Sequence, residues 1–366
     1  MVYQTNTAAF LYQAHDLRME EQPIETPRNG EVLVNIRATG ICGSDLHYYL
    51  DGKMGNLQIE PSKPMILGHE AAGVVTELGP GVTDLKIGDR VAIEPGRSCQ
   101  KCRYCTEDGG VEYNLCPKMK FLGSIRQGPN HGSLRRYASF PAYLCHKIPE
   151  SMSYEDGALI EPLSVAVYAV NRTPVKQGST VVVLGAGPVG LLTAAAAYAQ
   201  GAKHCLILDI NAPRLEFASK YLPNIQTMLL PKITSLDDAQ GQSEKIVKSY
   251  FDDEQGIDVT FDCTGVEICI NMAVHLTRAG GTVMFIGLGK PSMLMPTNVI
   301  ITKQVNLLGN FRYAHAYKKS IEWVEQGKIP LNGLVTHRFA LEDTLRAFDL
   351  AKQNAEGVMK IQIGDF

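Results

Sequence analysis

The chain has 366 residues and a mass of 40.0 kDa, which at about 150 residues per domain suits two domains and excludes a single small module. Hydrophobic residues make up 45% and charged residues 20%, enough apolar material for ordinary cores and too much for a disordered chain. With 35 basic against 38 acidic residues, a formal charge of -3 and a pI near 6.3, nothing electrostatic favours a nucleic-acid or anionic-membrane partner, and neither is expected.

In chain order, residues 1–10 lack both a basic segment and an apolar run, and the final Gly-Asp-Phe is not a peroxisomal signal, so a cytoplasmic protein is expected. From residue 7 to about 149 the sequence is β-like and rich in glycine. Val32, Val34, Ile36 and Ala38 alternate with Leu33, Asn35, Arg37 and Thr39, and short runs at 72–76 and 90–94 are bounded by Gly, Pro and Asp. The stretch 177–202 is uncharged and long enough to span a bilayer, but Gly185, Gly187, Pro188 and Gly190 interrupt it. They turn it into strand, turn and helix, so no membrane span is expected. Strands at 180–184, 205–208, 258–262 and 282–286 then alternate with helices at 189–200, 214–221 and 267–278. Such alternation builds a parallel sheet covered on both faces. A helix around 316–326, a strand at 334–339 and a helix around 341–352 form a tail too short to stand alone. The expected division is a β-domain from 1–162 plus 310–366 and an open α/β domain at 163–309.

Three groups of residues carry chemistry. Cys42 in GICGSDLH (40–47), with His69 and Glu70 in GHEAAG (68–73), would supply one thiolate, one imidazole and one carboxylate. That is a three-ligand set for a catalytic Zn(II) with its fourth position open, although spacing alone does not join these residues. Taken singly they read as a buried Cys, a satisfied His and a surface Glu. Nine cysteines do not make a disulfide framework when four crowd into Cys99-x2-Cys102-x2-Cys105-x10-Cys116. Four thiolates can close a tetrahedral Zn(II) site that holds a loop. The alternatives are free thiols or an iron–sulfur cluster, the latter disfavoured because ferredoxin-like runs have far fewer residues before their last Cys. The third group is LGAGPVG (184–190), where Gly185 permits a tight turn, Gly187 lets the backbone approach a pyrophosphate, and Pro188, Val189 and Gly190 open a helix packed close on the strand. Asp209 follows 19 residues after Gly190, with Ile210 beside it. A carboxylate there binds ribose hydroxyls and repels a 2′-phosphate, so NAD is expected over NADP. Arg214 reads equally as a contact to the adenosine ribose or as a surface arginine.

On these motifs, and on PMILGHEAAGVV (64–75), KIGDRVAIEPG (86–96), NLCP (114–117), GALIEPLSVA (157–166), FDCTGVE (261–267), GNFRY (309–313) and LVTHRF (334–339), the chain resembles the zinc-containing medium-chain alcohol dehydrogenases. Within them it is most similar to the sorbitol/xylitol/L-arabinitol group of polyol dehydrogenases, and residues 135–166 to fungal members. The resemblance implies an α/β protein with a GroES-like β-barrel catalytic domain and a Rossmann doubly wound parallel sheet. It implies zinc at Cys42, His69 and Glu70, with Glu161 either the fourth ligand or the holder of a water there, and Asp45 hydrogen-bonding the ligand imidazole. Ser44 and His47 match a proton relay, the alternative being that they cap a turn. Cys263 and Thr264 join the NAD contacts, while Tyr48, Phe121, Arg312 and Tyr313 line the substrate pocket, unless Arg312 pairs with an acid or the pyrophosphate instead. Segments 282–286 and 288–299 imply a homotetramer, the alternative being that they pack only within their own subunit. One departure is the gap from Cys105 to Cys116, longer than usual by the bend at 107–110; another is the four-cysteine cluster itself, which animal sorbitol dehydrogenases lack. The expected reaction is reversible oxidation of a secondary hydroxyl of an acyclic polyol, sorbitol first, to a ketose. A threonine or 2,3-butanediol dehydrogenase is the alternative within the family; a non-catalytic NAD-binding protein and a nucleic-acid-binding zinc ribbon are the alternatives outside it.

Overall fold

The strand Glu31–Gly40 is hydrogen-bonded along both edges, and the first half of the molecule is assembled around it. The structure is a computed structural model that describes residues 5–250, 256–353 and 355–365. Residues 1–4 and 366, which entered the reading of the termini, lie outside the described residues. Contacts divide the chain into two compact units, Met1–Glu161 with Leu331–Phe366, and Pro162–Pro330.

In the first unit the sheet order is Cys145–Lys147, Arg90–Ile93, Glu70–Leu78, Glu31–Gly40, Lys360–Gly364, Val335–Phe339, with Tyr137–Pro141 also pairing along Glu31–Gly40. The alternation read at 32–39 does not separate a wet face from a dry one, because both faces are covered. Asn35 and Thr39 are buried, and they are accommodated by hydrogen bonds to the carbonyls of Arg136 (3.2 Å) and Ser133 (3.1 Å). Buried polar groups are tolerated when so partnered. The register places Gly40 opposite Glu70 on one side and opposite Gln362 on the other. The C-terminal segment thus supplies the neighbour of a strand made from residues 31–40. Its helix, Thr344–Gln353, seals the core by setting the buried Phe348 edge-on to Tyr49, ring centroids 5.2 Å apart.

The second unit is a six-stranded sheet, parallel throughout, in the order Gln226–Leu229, His204–Asp209, Thr180–Leu184, Ile257–Asp262, Thr277–Phe285, Asn306–Gly309. Numbered within the sheet this is 3-2-1-4-5-6, and it reverses direction beside the first strand, where α/β sheets open their ligand crevice. Thr180–Leu184 is fully buried, as an apolar β-branched run in the centre of a parallel sheet should be. The helix Pro188–Gln200 starts with Pro188 in its first turn and stops at Gly201, whose φ of +118° suits glycine.

Several elements differ from the sequence reading. The helix Glu267–Leu276 ends two residues before 278 because Thr277, bonded to the Thr260 hydroxyl at 2.8 Å, already opens the next strand. Strands Gln226–Leu229 and Asn306–Gly309 and helices Tyr154–Asn171, Leu236–Tyr250 and Thr297–Lys303 are additional. The return to the first unit comes at 331, whereas 310 was expected. The helix Tyr317–Glu325 stays with the second unit, where the Ser320 and Ser164 hydroxyls meet at 3.2 Å and Lys319 Nζ donates to Asn171 Oδ1 at 2.6 Å. Among the described residues no helix is long and apolar enough to cross a membrane. Replacing Phe348 by Ala, which empties a fully buried ring site under the first unit's sheet, is expected to cost about 3–5 kcal/mol in urea unfolding; a loss below about 1 kcal/mol would mean the C-terminal segment is not integral to that core.

Candidate metal centres and cofactor turn

Cys42 immediately precedes the helix Gly43–Asp51, and Asp45 in its first turn reaches back over it. Asp45 Oδ2 accepts from the Cys42 N–H and Oδ1 from the Gly68 N–H, both at 3.0 Å, and Oδ1 lies 3.6 Å from His69 Nδ1. This carboxylate is 1% exposed. It therefore ties two segments far apart in sequence into one constellation, in which ligand atoms of Cys42, His69 and Glu70 all lie within 4.8 Å of one another. Burial alone would keep His69 neutral, but Asp45 and Cys42 more than offset it and hold the imidazole well above its ordinary range. The local field is one that draws a cation. A soft thiolate, an imidazole and a carboxylate converging on one point, each orientable by a buried partner, fit a zinc ion with a position left open. Glu161 is buried at the end of the first unit's N-terminal segment and is not a member of the set that converges within 4.8 Å.

The neighbours expected to act with this set fall into two kinds. Phe121 is buried beside His69, ring centroids 5.4 Å apart, and Tyr48 is buried on the same helix as Asp45. Ser44 is half-buried, whereas the His47 side chain is 65% exposed with Nδ1 3.6 Å from Asp51 Oδ2. One residue the sequence reading missed stands against this set. The ammonium of Lys360 donates to Glu70 Oε1 at 2.7 Å and to the Ile41 carbonyl at 2.9 Å. In the alternating KIQIG strand it looks like any outward lysine, and only the register places it here.

The second set, Cys99, Cys102, Cys105 and Cys116, also has all its sulfurs within 4.8 Å of one another. The Cys99 N–H points at Cys116 Sγ (3.4 Å), and the Cys102 and Cys105 sulfurs are 3.5 Å apart. Backbone N–H groups, led by that of Lys101, hold the Cys99 thiol down to about 6, while burial pushes Cys116 up to about 12. Four sulfurs so close need a cation if all are to be thiolates, so the cluster fits a closed, structural zinc site. The longer gap does not open it. Asp108, Gly109 and Gly110 take left-handed φ values of +49°, +74° and +74°, and the extra residues leave as a bend. A side chain at 110 would put its Cβ 2.7 Å from the Cys105 carbonyl, so that bend needs glycine.

In the second unit the expected cofactor residues gather at one end of the sheet. Gly185 has φ +103°, and a Cβ at Gly190 would fall 1.9 Å from the Gly185 carbonyl, so helix and turn meet backbone to backbone. The Asp209 carboxylate is pinned by the N–H groups of Ala186 (2.7 Å) and Asn211 (2.9 Å). A Cβ on Gly187 would lie 4.0 Å from the Arg214 guanidinium, and one on Gly185 would lie 3.0 Å from Thr264 Cγ2. Asp262 organises that side by accepting from the Thr264 N–H and hydroxyl and from the Gly265 N–H, and Cys263 Sγ lies 3.7 Å from the Thr193 hydroxyl. Ile210 is 72% exposed next to Asp209. Arg312 sits in the left-handed region at φ +53° with its guanidinium over Phe311, and Tyr313 is buried beside Tyr317. A non-glycine residue held there is the kind of local strain that collects at functional sites.

Residues 28–150 match the model of the alcohol dehydrogenase GroES-like domain, and residues 188–326 that of the zinc-binding dehydrogenases. The chain is 40% identical to a probable D-xylulose reductase A of Aspergillus niger, over 94% of this chain and 93% of that protein. It is 39% identical to an L-arabinitol 4-dehydrogenase of the same species, over 98% and 93%. Among solved structures it is similar to L-idonate 5-dehydrogenase from Escherichia coli, with a TM-score of 0.86, 29% identity and 98% of each chain covered. The α/β architecture expected from the sequence, a GroES-like domain with a Rossmann-type parallel sheet, is therefore the one observed.

Two outcomes check the assignments. Cys42→Ser is expected to lower zinc by one ion per chain with the fold intact, whereas Cys102→Ser removes the other ion and lowers the melting temperature, because a closed site contributes folding energy; elemental analysis and calorimetry read both. Gly190→Ala, whose methyl meets the Gly185 carbonyl, is expected to weaken dinucleotide binding at least about tenfold in a fluorescence titration, a loss of about 1.4 kcal/mol.

Proposed function

The chain belongs to the zinc-binding alcohol dehydrogenase family, and from that premise we propose that it oxidises a secondary hydroxyl of an acyclic polyol to a ketose, reversibly and with NAD. The observation that carries this reading is the convergence of Cys42, His69 and Glu70 within 4.8 Å. It is supported by the pinned Asp209 at the glycine turn and by the polyol chemistry in the names of the similar fungal enzymes. Pentitols and hexitols, sorbitol among them, are the substrate class.

Bound at Cys42, His69 and Glu70, zinc supplies Lewis acidity toward the reacting hydroxyl, and NAD at the glycine turn supplies the hydride acceptor. The thiolate and carboxylate match the charge of a divalent ion, and Asp45 keeps the imidazole in place. Glu161 serves as a fourth ligand or as acceptor for the group in the open position. The hydroxyl proton passes to Ser44 and then to His47, whose exposed ring releases it to solvent. A polyol brings several hydroxyls that lose water on binding, and each needs a partner. Arg312 offers donors in a fixed fork, Tyr48 and Tyr313 each offer a phenol, and Phe121 covers the carbon chain. On the cofactor side Gly185, Gly187, Pro188, Val189 and Gly190 take the pyrophosphate. Asp209 takes the ribose hydroxyls with Arg214 beside it, Ile210 the adenosine face, and Cys263 with Thr264 the nicotinamide side. The proposed setting is the cytoplasm and the proposed assembly a homotetramer, with exposed Leu288, Leu294 and Ile301 as apolar surface to bury.

A panel of sorbitol, xylitol, L-arabinitol, galactitol, threonine and 2,3-butanediol with NAD and NADP tests the reading. Polyols with NAD are expected to give the highest kcat/KM; threonine or butanediol ahead of every polyol would replace it. Replacing Asp209-Ile210 by Ser-Arg is expected to shift preference toward NADP. Arg312→Ala is expected to lower kcat/KM for the polyol by about 1.5–3 kcal/mol with NAD affinity little changed, whereas the reverse pattern would assign Arg312 to the cofactor.

A further inference from the structure

Lys360 is a buried charge that the proposed reaction does not use. It stands at the start of the strand Lys360–Gly364 and is 5% exposed. Its ammonium donates to the Ile41 carbonyl at 2.9 Å and to Glu70 Oε1 at 2.7 Å, while Glu70 Oε2 is 2.5 Å away without hydrogen-bond alignment. Both partners border the ligand set, for Ile41 precedes Cys42 and Glu70 is itself a member. A buried ion pair is a poor source of stability, since well-packed apolar side chains serve a fold as well or better. Its retention at a ligand calls for another account.

We propose that Lys360 is a positioning residue for the metal site, fixing the Glu70 carboxylate toward Cys42 and His69 and balancing the negative charge collected there. The inference rests on the reading of Cys42, His69 and Glu70 as metal ligands. Geometry supports the first part. On the neighbouring strand a Cβ at Gly40 would lie 2.0 Å from Glu70 Oε2 and 3.1 Å from Lys360 Cε, so the pair fills the space that a side chain at 40 would take. The carboxylate is confined between a bare strand and a tethered ammonium. Charge supports the second part. The Cys42 thiolate and Glu70 carboxylate cancel a divalent ion, the carboxylates of Glu161 and Asp45 add two more negative charges, and the ammonium offsets one of them. Buried outer partners of this kind hold ligands in one orientation and so slow the escape of the metal.

The test measures zinc per chain during dialysis against a chelator, together with the visible spectrum of the cobalt-substituted protein, for the wild type, Lys360→Met, Lys360→Arg and Gly40→Ala. In Lys360→Met the ion outside the cysteine cluster is expected to leave at least about tenfold faster and the cobalt bands to shift, while the cluster ion leaves at the wild-type rate. Lys360→Arg, which keeps the charge, is expected to stay near the wild type. Gly40→Ala, which crowds the carboxylate and keeps the lysine, is expected to behave like Lys360→Met. Wild-type loss rate and cobalt spectrum in Lys360→Met, whatever its melting temperature, would overturn the proposal. Should that variant fail to fold, wild-type retention in Gly40→Ala would do the same. A wild type holding only one ion, unchanged in Cys42→Ser, would overturn the metal site itself and this proposal with it.

Discussion

Two backbone N–H groups and one imidazole converge on the carboxylate of Asp45, and the first unit's chemistry depends on that convergence. Cys42 lies at a strand-to-helix junction and Gly68 just before another strand, so neither segment would find the other through its own local structure. A buried carboxylate is costly unless its lone pairs are used. At Asp45 burial works against ionisation, but His69 and the two N–H groups outweigh it and hold the pKa below the ordinary carboxylate range. The same contacts that keep the charge in the core thus bring a thiol and an imidazole to the reach of a single ion.

Much of this was legible in the sequence for identifiable reasons. Four cysteines within 18 positions can meet without help from the fold, and a glycine turn between an apolar strand and a helix states its geometry locally. Cys42, His69 and Glu70 could be named by type, but their meeting depends on a strand register and on Asp45, which spacing does not encode. Lys360 was invisible for the same reason, as its partner Glu70 is 290 positions away. The helix Leu236–Tyr250 escaped because its sequence is polar; only Ala239, Ser243 and Ile246, spaced four and three residues apart on one face, are buried. The edge strand Gln226–Leu229 is four residues of intermediate and exposed positions, too short to show a period. Position 310 carries no signal of domain membership, since amphipathic helices such as Tyr317–Glu325 reveal that they dock and not where.

The two units treat backbone crowding in the same way. At the glycine turn and at the Gly40 strand, side chains are omitted where another group comes close: a carbonyl in one case, a carboxylate in the other. Glycine there serves close approach rather than flexibility, because Gly190 lies within a helix and Gly40 within a strand.

The order in which the chain is made gives the C-terminal return a further meaning. The three side chains of the first metal set lie within the first 70 residues, yet the strand that neutralises Glu70 lies beyond the whole second unit. A nascent chain that has completed its dinucleotide fold still lacks the partner of Ala38–Gly40, with Glu70 opposite Gly40 and no ammonium beside it. During synthesis the thiol and imidazole are present long before their electrostatic counterpart. The first unit therefore closes last although it is begun first, and a chain cut short before residue 360 carries the thiol, the imidazole and the Glu70 carboxylate without the ammonium that faces them.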